Sequence, residues 1–410
     1  MESIKKFFCR NMTFFAIFLF LSVYGIGSIF ILDTWTMPSS TYVFHLVDFS
    51  MGFCSRFLPG AIYNFLFDNT SIHAVSVYSF VMYLFFLALV AFLSQKLINK
   101  ADKEIKSSLM ITLLFFFTGP TIFSMLNFVR GSLDHYWIYF AALSVLFLSN
   151  KYCYGLIAVF SLLCVMVNVG AMVTYVPFIV LLMMYKTTTI SNKKEKNSLW
   201  FIIMLTISLC LLLTVYFMIF ERSNLVYDLE DFSAILKSRG YVEDKSYYFS
   251  TILYSEDYYD ETEVAVLNSL NATYPGSIAR LLFRIWLTLK SLNFEEAFYP
   301  LLLMFPALVI IFSFISKVFK SNKNKIRKFT LFCMCGMFFI TIFSGLFLST
   351  DTCRFLGHSY TILFTCALYI SQYEKENTAD LYKTISKKVP LCFILIYCLC
   401  YCFVLFDPVD

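Results

Sequence analysis

Charged side chains are scarce in this sequence. Asp, Glu, Lys and Arg supply 14% of its 410 residues, while 59% are hydrophobic and 20% aromatic; an ordinary soluble domain carries roughly 25% charge. That shortage excludes a water-soluble globular fold, because several runs reach the ~20 apolar residues that cross a bilayer core of ~30 Å. A phosphate-binding glycine loop, a zinc-ligand spacing and a serine-nucleophile motif are also absent, which removes the common motif-based enzyme classes. No small-residue cleavage site follows the apolar run MTFFAIFLFLSVYGIGSIFIL, so it reads as a retained first span rather than a signal peptide. Neither an internal repeat nor a low-complexity linker divides the chain, and residues 1–410 read as one membrane domain. The thirteen cysteines lie mostly inside apolar runs, where cysteine behaves as a small hydrophobe. Cys398, Cys400 and Cys402 do not make a metal site, since on a helix a spacing of two turns side chains about 200° apart. No metal, cofactor or nucleic-acid partner is implied, and the net charge of +5 belongs to topology.

Apolar runs fall at about 12–32, 73–94, 109–126, 136–149, 154–168, 170–185, 199–220, 298–316, 329–348, 358–373 and 389–406. The expectation is an all-α, polytopic integral membrane protein with about 11 transmembrane helices and a cytoplasmic N-terminus. Residues 154–185 could form one long helix or two short ones broken near Asn168 and Gly170, and charge chooses between them. With two spans the cytoplasmic side holds Lys5, Lys6, Arg10, the lysines of 96–106, Lys151, the lysines of 186–196, KVFKSNKNKIRK at 317–328, and the lysines of 375–388. Those make 22 of the 32 basic residues. Merging the two spans would place the 186–198 loop outside and invert every later loop, against the positive-inside rule.

Two outer segments exceed simple turns: a first loop at 33–72 and a large one at 221–297, with thirteen acidic and seven basic residues. Apart from the large loop, the outer segments contain three basic residues, Arg56, Arg130 and Arg354, and no lysine. Each has an acid nearby in sequence: Asp48 with Arg56, Asp134 with Arg130, Asp351 with Arg354. All four histidines (His45, His73, His135 and His358) fall outside or at the outer boundary. Topology is indifferent to arginine versus lysine, but phosphate recognition is not, because the guanidinium is a planar fork of donors. Aspartate and histidine are the usual general bases. Asp48, Asp134 and His135 are therefore the candidate catalytic residues, with Asp33, Asp351 and His358 behind them. The plain alternative is that each Asp–Arg pair clamps adjacent helix ends, although charges at membrane depth are by default functional candidates.

Within the first loop, Gly52 and Pro59–Gly60 punctuate the chain, and GAIYNFLF reads as a short interfacial helix. Cys54 and Cys353 are the outward-facing cysteines, and a disulfide between them fits an oxidising compartment. In the large loop, GYVEDKSYYFSTILYSEDYYDETE mixes tyrosine with acid, a composition that suits sugar stacking and hydroxyl recognition as well as an ordinary solvated loop. SIARLLFRIWLTLK at 277–290 reads as an amphipathic helix that sets Arg280 and Arg284 on one face, placed to meet a lipid-linked phosphate.

This architecture resembles the polytopic glycosyltransferases of the GT-C superfamily, with an inside N-terminus, an acid in a long first outer loop and a second long outer loop after the seventh span. It is similarly close, in size, composition and outer arginines, to bacterial O-antigen and capsule repeat-unit polymerases. The resemblance covers the whole chain as topology and few residues as motif; a paired-acid motif straight after the first span is missing. It implies glycosyl transfer at the outer face of a bacterial plasma membrane from a polyprenyl-linked sugar, with Asp33 or Asp48 as the first-loop acid. Arg56, Arg130, Arg354, Arg280 and Arg284 would then bind the donor phosphate, and other polysaccharide-assembly proteins would be partners. A repeat-unit polymerase is the leading form, and addition of one sugar from polyprenyl phosphate is the alternative. A lipid-linked oligosaccharide flippase is a further alternative, disfavoured by the odd span count and the large loop.

Overall fold

The computed structural model describes residues 11–31, 35–37, 39–103, 106–118, 130–220, 226, 229–240, 261–273, 294–348, 352–385 and scattered positions in 279–290 and at 392. Among the described residues all regular structure is helical. The helices are α1 (Met12–Ile31), α2 (Ser39–Leu46), α3 (Leu58–Leu66), α4 (Ile72–Lys100), α5 (Lys106–Thr118), α6 (Leu133–Phe147), α7 (Tyr154–Val167) and α8 (Tyr175–Thr187). They continue as α9 (Lys193–Phe220), α10 (Leu229–Ser238), α11 (Glu261–Thr273), α12 (Phe294–Ser321), α13 (Lys325–Leu348), α14 (Thr352–Ser371) and α15 (Lys375–Ile385).

Among the described residues four stretches are long and apolar enough to cross a membrane: Ile72–Lys100, Val169–Thr187, Lys193–Phe220 and Lys325–Ser344. The helix α9 shows why lipid is its solvent. Phe201, Met204, Leu212 and Ile219 are all exposed on it, an apolar face that water would not tolerate and hydrocarbon does. Shorter apolar helices coincide with the expected runs at 136–149, 154–168 and 358–373. The run at 389–406 lies outside the described residues.

Residues 154–185 form two helices. Asn168 ends α7, and its Oδ1 accepts from the Gly170 N–H at 2.9 Å to start a 3-10 turn over Val169–Val173, leaving α8 to begin at Tyr175. The two helices run out and back. At one end the Tyr154 hydroxyl donates to Glu195 at 3.0 Å, and Thr188 receives Arg327 Nε at 2.8 Å. At the other end the Met166 carbonyl accepts the Arg56 N–H at 3.0 Å.

The segments expected to be cytoplasmic meet at that first end of the bundle. Arg327 pairs with Glu374 at 3.0 Å, Lys317 with Asp380 at 2.6 Å, and Lys375 with Asp102 at 3.7 Å. At the opposite end the first loop folds into α2 and α3. Gly60 lets α3 sit on the α2 exit, because a Cβ there would lie 1.8 Å from the Val47 carbonyl oxygen. The stretch expected to be a short helix is one, and α3 buries Tyr63 and exposes Phe65 and Leu66. The 221–297 segment returns to this end: the Val226 N–H donates to the Met51 carbonyl at 3.0 Å.

Candidate functional site

Asp134 occupies the first turn of α6, directly after Gly131 and Ser132. Gly131 has φ +73°, and a Cβ on it would strike Ser79 Oγ at 2.5 Å, so this tight entry into the helix requires glycine. The entry turns successive side chains to different neighbours. Asp134 faces α14, where His358 Nε2 stands 3.2 Å from its Oδ1, close enough for an ion pair yet off the line of a hydrogen bond. His358 Nδ1 is 2.6 Å from the hydroxyl of Tyr175, the first residue of α8. With Tyr175 donating, Nδ1 presents its lone pair and the ring proton sits on Nε2, toward the carboxylate.

The three side chains come from positions 134, 175 and 358 and are all buried. Trp137 fixes the arrangement. Its ring lies 6.0 Å from Tyr175 and 5.9 Å from His358, and its indole N–H donates to the Cys164 carbonyl at 3.0 Å. The N-termini of α6 and α8 both end here, and their dipoles favour a carboxylate at Asp134.

His135 turns the other way. Its Nδ1 accepts from the Gly131 N–H at 3.3 Å, and its ring packs 6.1 Å from Tyr83 and 5.7 Å from Phe86. It is a core residue of the α4–α6 contact, separate from the Asp134 cluster. Arg130, expected beside Asp134, donates from Nη2 to the Trp35 carbonyl at 2.8 Å and lies under the rings of Trp35 and Phe80. The adjacency of Arg130 and Asp134 in sequence therefore does not predict where either side chain points.

The same correction applies in the first loop. Asp48, expected with Arg56, binds Arg239 at 2.8 Å, while Ser50 and Asn64 donate to the same carboxylate. Burial pushes the Asp48 carboxyl upward, but these hydrogen bonds outweigh it and hold the group below the usual carboxylate range. Arg56 adopts φ +71°, the one non-glycine residue in the left-handed region among those described. Such strain persists only where the surroundings enforce it, and here the Met166 carbonyl holds its N–H.

A second polar chain lies beneath the loop. His45 Nε2 is 3.1 Å from the Tyr136 hydroxyl, which is 3.3 Å from that of Tyr78. Burial pulls the His45 imidazole down to about 4, against a smaller opposing effect of the Thr41 carbonyl, so it is neutral near pH 7.

Arg354 belongs to α14, although its side chain, like that of Cys353, lies outside the described residues. Asp33, Asp351, Arg280, Arg284 and the tyrosine-rich 241–260 stretch also lie outside them, and His73 is exposed at the start of α4. Among the described residues no cluster of His, Cys, Asp or Glu could hold a metal ion. Sequence reading missed Tyr175 and Arg239: the first is one of 27 tyrosines, the second one of many charges in the long loop.

Known proteins add no precedent. Compared with family models, curated proteins and solved structures, the chain matches none. The functional reading rests on the site itself, a buried carboxylate–imidazole–phenol chain.

Proposed function

We propose that this protein transfers a glycosyl group from a polyprenyl-linked donor at the outer face of a bacterial plasma membrane, extending a surface polysaccharide as a repeat-unit polymerase. The observation that carries the reading is the Asp134–His358–Tyr175 chain, in a protein where buried charge is costly and rare. In this scheme the Tyr175 hydroxyl takes the proton from an acceptor hydroxyl as it passes its own to His358 Nδ1, and Asp134 stabilises the resulting imidazolium. The acceptor oxygen bonds to the anomeric carbon as the bond from that carbon to the phosphate oxygen breaks. The phosphate departs with the bonding electrons, and Arg130, Arg56 and Arg354 neutralise it. Preorganised charge of this kind is worth several kcal/mol in a water-poor site. The proposal includes eleven spans, a cytoplasmic N-terminus, and the 33–72 and 221–297 segments facing outward, where other assembly proteins would meet them.

Arginine-to-lysine substitution tests the reading. Arg56→Lys, Arg130→Lys and Arg354→Lys keep the charge but lose the bidentate fork. Each should leave the protein at normal abundance in the membrane and shorten the polysaccharide severely. Normal long chains from all three variants would refute the phosphate role. Loss of a single terminal sugar, with chain length intact, would instead favour transfer of one sugar from polyprenyl phosphate.

A further inference from the structure

Between α4, α5, α6, α8 and α14 runs a cavity of about 190 Å³ that shares Tyr175, but neither Asp134 nor His358, with the site above. It is larger than the ~150 Å³ apolar cavity that suffices to hold benzene in an engineered protein. Its wall is hydrocarbon and aromatic: Val90 from α4, Phe117 from α5, Ile138 and Val145 from α6, and Leu368 from α14. Along α4 the lining extends from Phe86 to Lys100, fourteen helical steps or ~21 Å. That is a little over the ~15 Å depth of one leaflet's hydrocarbon.

The two ends differ. Tyr175 lines one, and the other carries Lys96, Lys100 and Lys186. Among the described residues no carboxylate lies within ion-pair distance of these three ammonium groups. Lys96 donates to Ser149 at 2.8 Å, and Lys186 reaches the Tyr373 hydroxyl at 3.3 Å. This end belongs to the side of the bundle where the basic loops gather. A wholly apolar ligand would leave the lysines unused, and a free anion would leave the channel unfilled.

We propose that the groove binds an anionic lipid of the leaflet on the basic side, with one hydrocarbon chain against Val90, Ile138 and Leu368 and its phosphate among Lys96, Lys100 and Lys186. His358 does not line this groove, and lipid binding there does not depend on glycosyl transfer.

The test uses the full chain, purified in detergent and stripped of lipid, and titrated with phosphatidylglycerol, phosphatidylcholine or soluble glycerol phosphate. Native mass spectrometry reads binding, and thermal unfolding reads stabilisation. Phosphatidylglycerol should bind about tenfold or more tighter than phosphatidylcholine and raise the unfolding midpoint, as expected for an anionic headgroup among lysines. Glycerol phosphate should do neither. A triple variant, Lys96→Gln, Lys100→Gln and Lys186→Gln, should lose the headgroup preference but still take up both lipids. Ala142→Phe, which narrows the groove, should weaken both. Equal affinity for the two lipids, equivalent binding of glycerol phosphate alone, or an unchanged preference in the triple variant would each overturn the proposal. The triple variant changes only the mouth of the groove, so it decides the matter even if Ala142→Phe fails to fold.

Discussion

Replacing His358 by Gln and Asp134 by Asn, singly and together, separates a catalytic pair from a structural clamp. His358→Gln withdraws the imidazole 3.2 Å from a buried carboxylate. Removing one partner of a buried pair typically costs ~3–5 kcal/mol, mostly because the remaining charge keeps its desolvation penalty. Asp134→Asn is milder: it leaves a neutral amide beside a ring still held by Tyr175, so the expected cost is ~1–2 kcal/mol. In the double variant there is no carboxylate to strand, and the total should stay near or below that of His358→Gln alone. The implied coupling is ~1–3 kcal/mol, well above the ~0.5 kcal/mol scatter of independent sites. Thermal unfolding in detergent measures this side of the cycle, and polysaccharide chain length measures the other. The prediction is that stability recovers in the double variant while chain length does not. Strict additivity of the two stability losses would refute the pairing, and recovery of long chains would leave the cluster as a helix clamp with no part in chemistry.

Further outcomes follow from the loop and the bundle ends. Buried His45 is held at about 4, against an ordinary 6.5, so the unfolded loop takes up a proton below pH 6.5 that the folded loop refuses. Stability should therefore be complete above pH 6.5 and fall by roughly 3 kcal/mol as the pH drops toward 4; His45→Gln should flatten that slope, and an unchanged slope would exclude His45 as its source. Gly60→Ala drives a Cβ into two backbone carbonyls, Val47 and Phe44, and should lower stability by ~1–3 kcal/mol; an unaltered unfolding midpoint would show that α3 is free to shift. Reporter fusions after Lys196 and Lys328 should read cytoplasmic and a fusion after Tyr259 extracytoplasmic, whereas a cytoplasmic signal at Tyr259 would invert the outer face and remove the proposed site from it.

Much of the helical frame was legible in the chain, because a bilayer allows few alternatives to a long apolar helix. The reversal between α7 and α8 was legible too, from the lysines that each alternative would strand on the wrong side. Asp134 and His358 stood out singly, since charge at membrane depth is conspicuous. Their partnership did not, because nothing local says which helix ends meet across 224 positions. Pairing each arginine with its nearest acid failed for Asp48 and for Arg130 for one physical reason. In each pair a glycine with positive φ, Gly52 or Gly131, lies between the two residues and turns the chain, so nearness along the chain is no guide to contact. Tyr175 carried no signal beyond its place after the break at Asn168.

The joining of positions 134, 175 and 358 also sets an order of events during synthesis. Tyr175 emerges soon after Asp134, but His358 follows 224 residues later. At ~5–20 residues per second, Asp134 waits roughly 11–45 s in a half-inserted bundle before α14 can bring its imidazole. Throughout that interval an acidic side chain at the edge of hydrocarbon lacks the partner it will have in the finished protein. Until α14 is made, the first 351 residues thus form an intermediate in which Asp134 lacks the imidazole it meets in the finished protein. Chains truncated before α14 would remain in that state permanently.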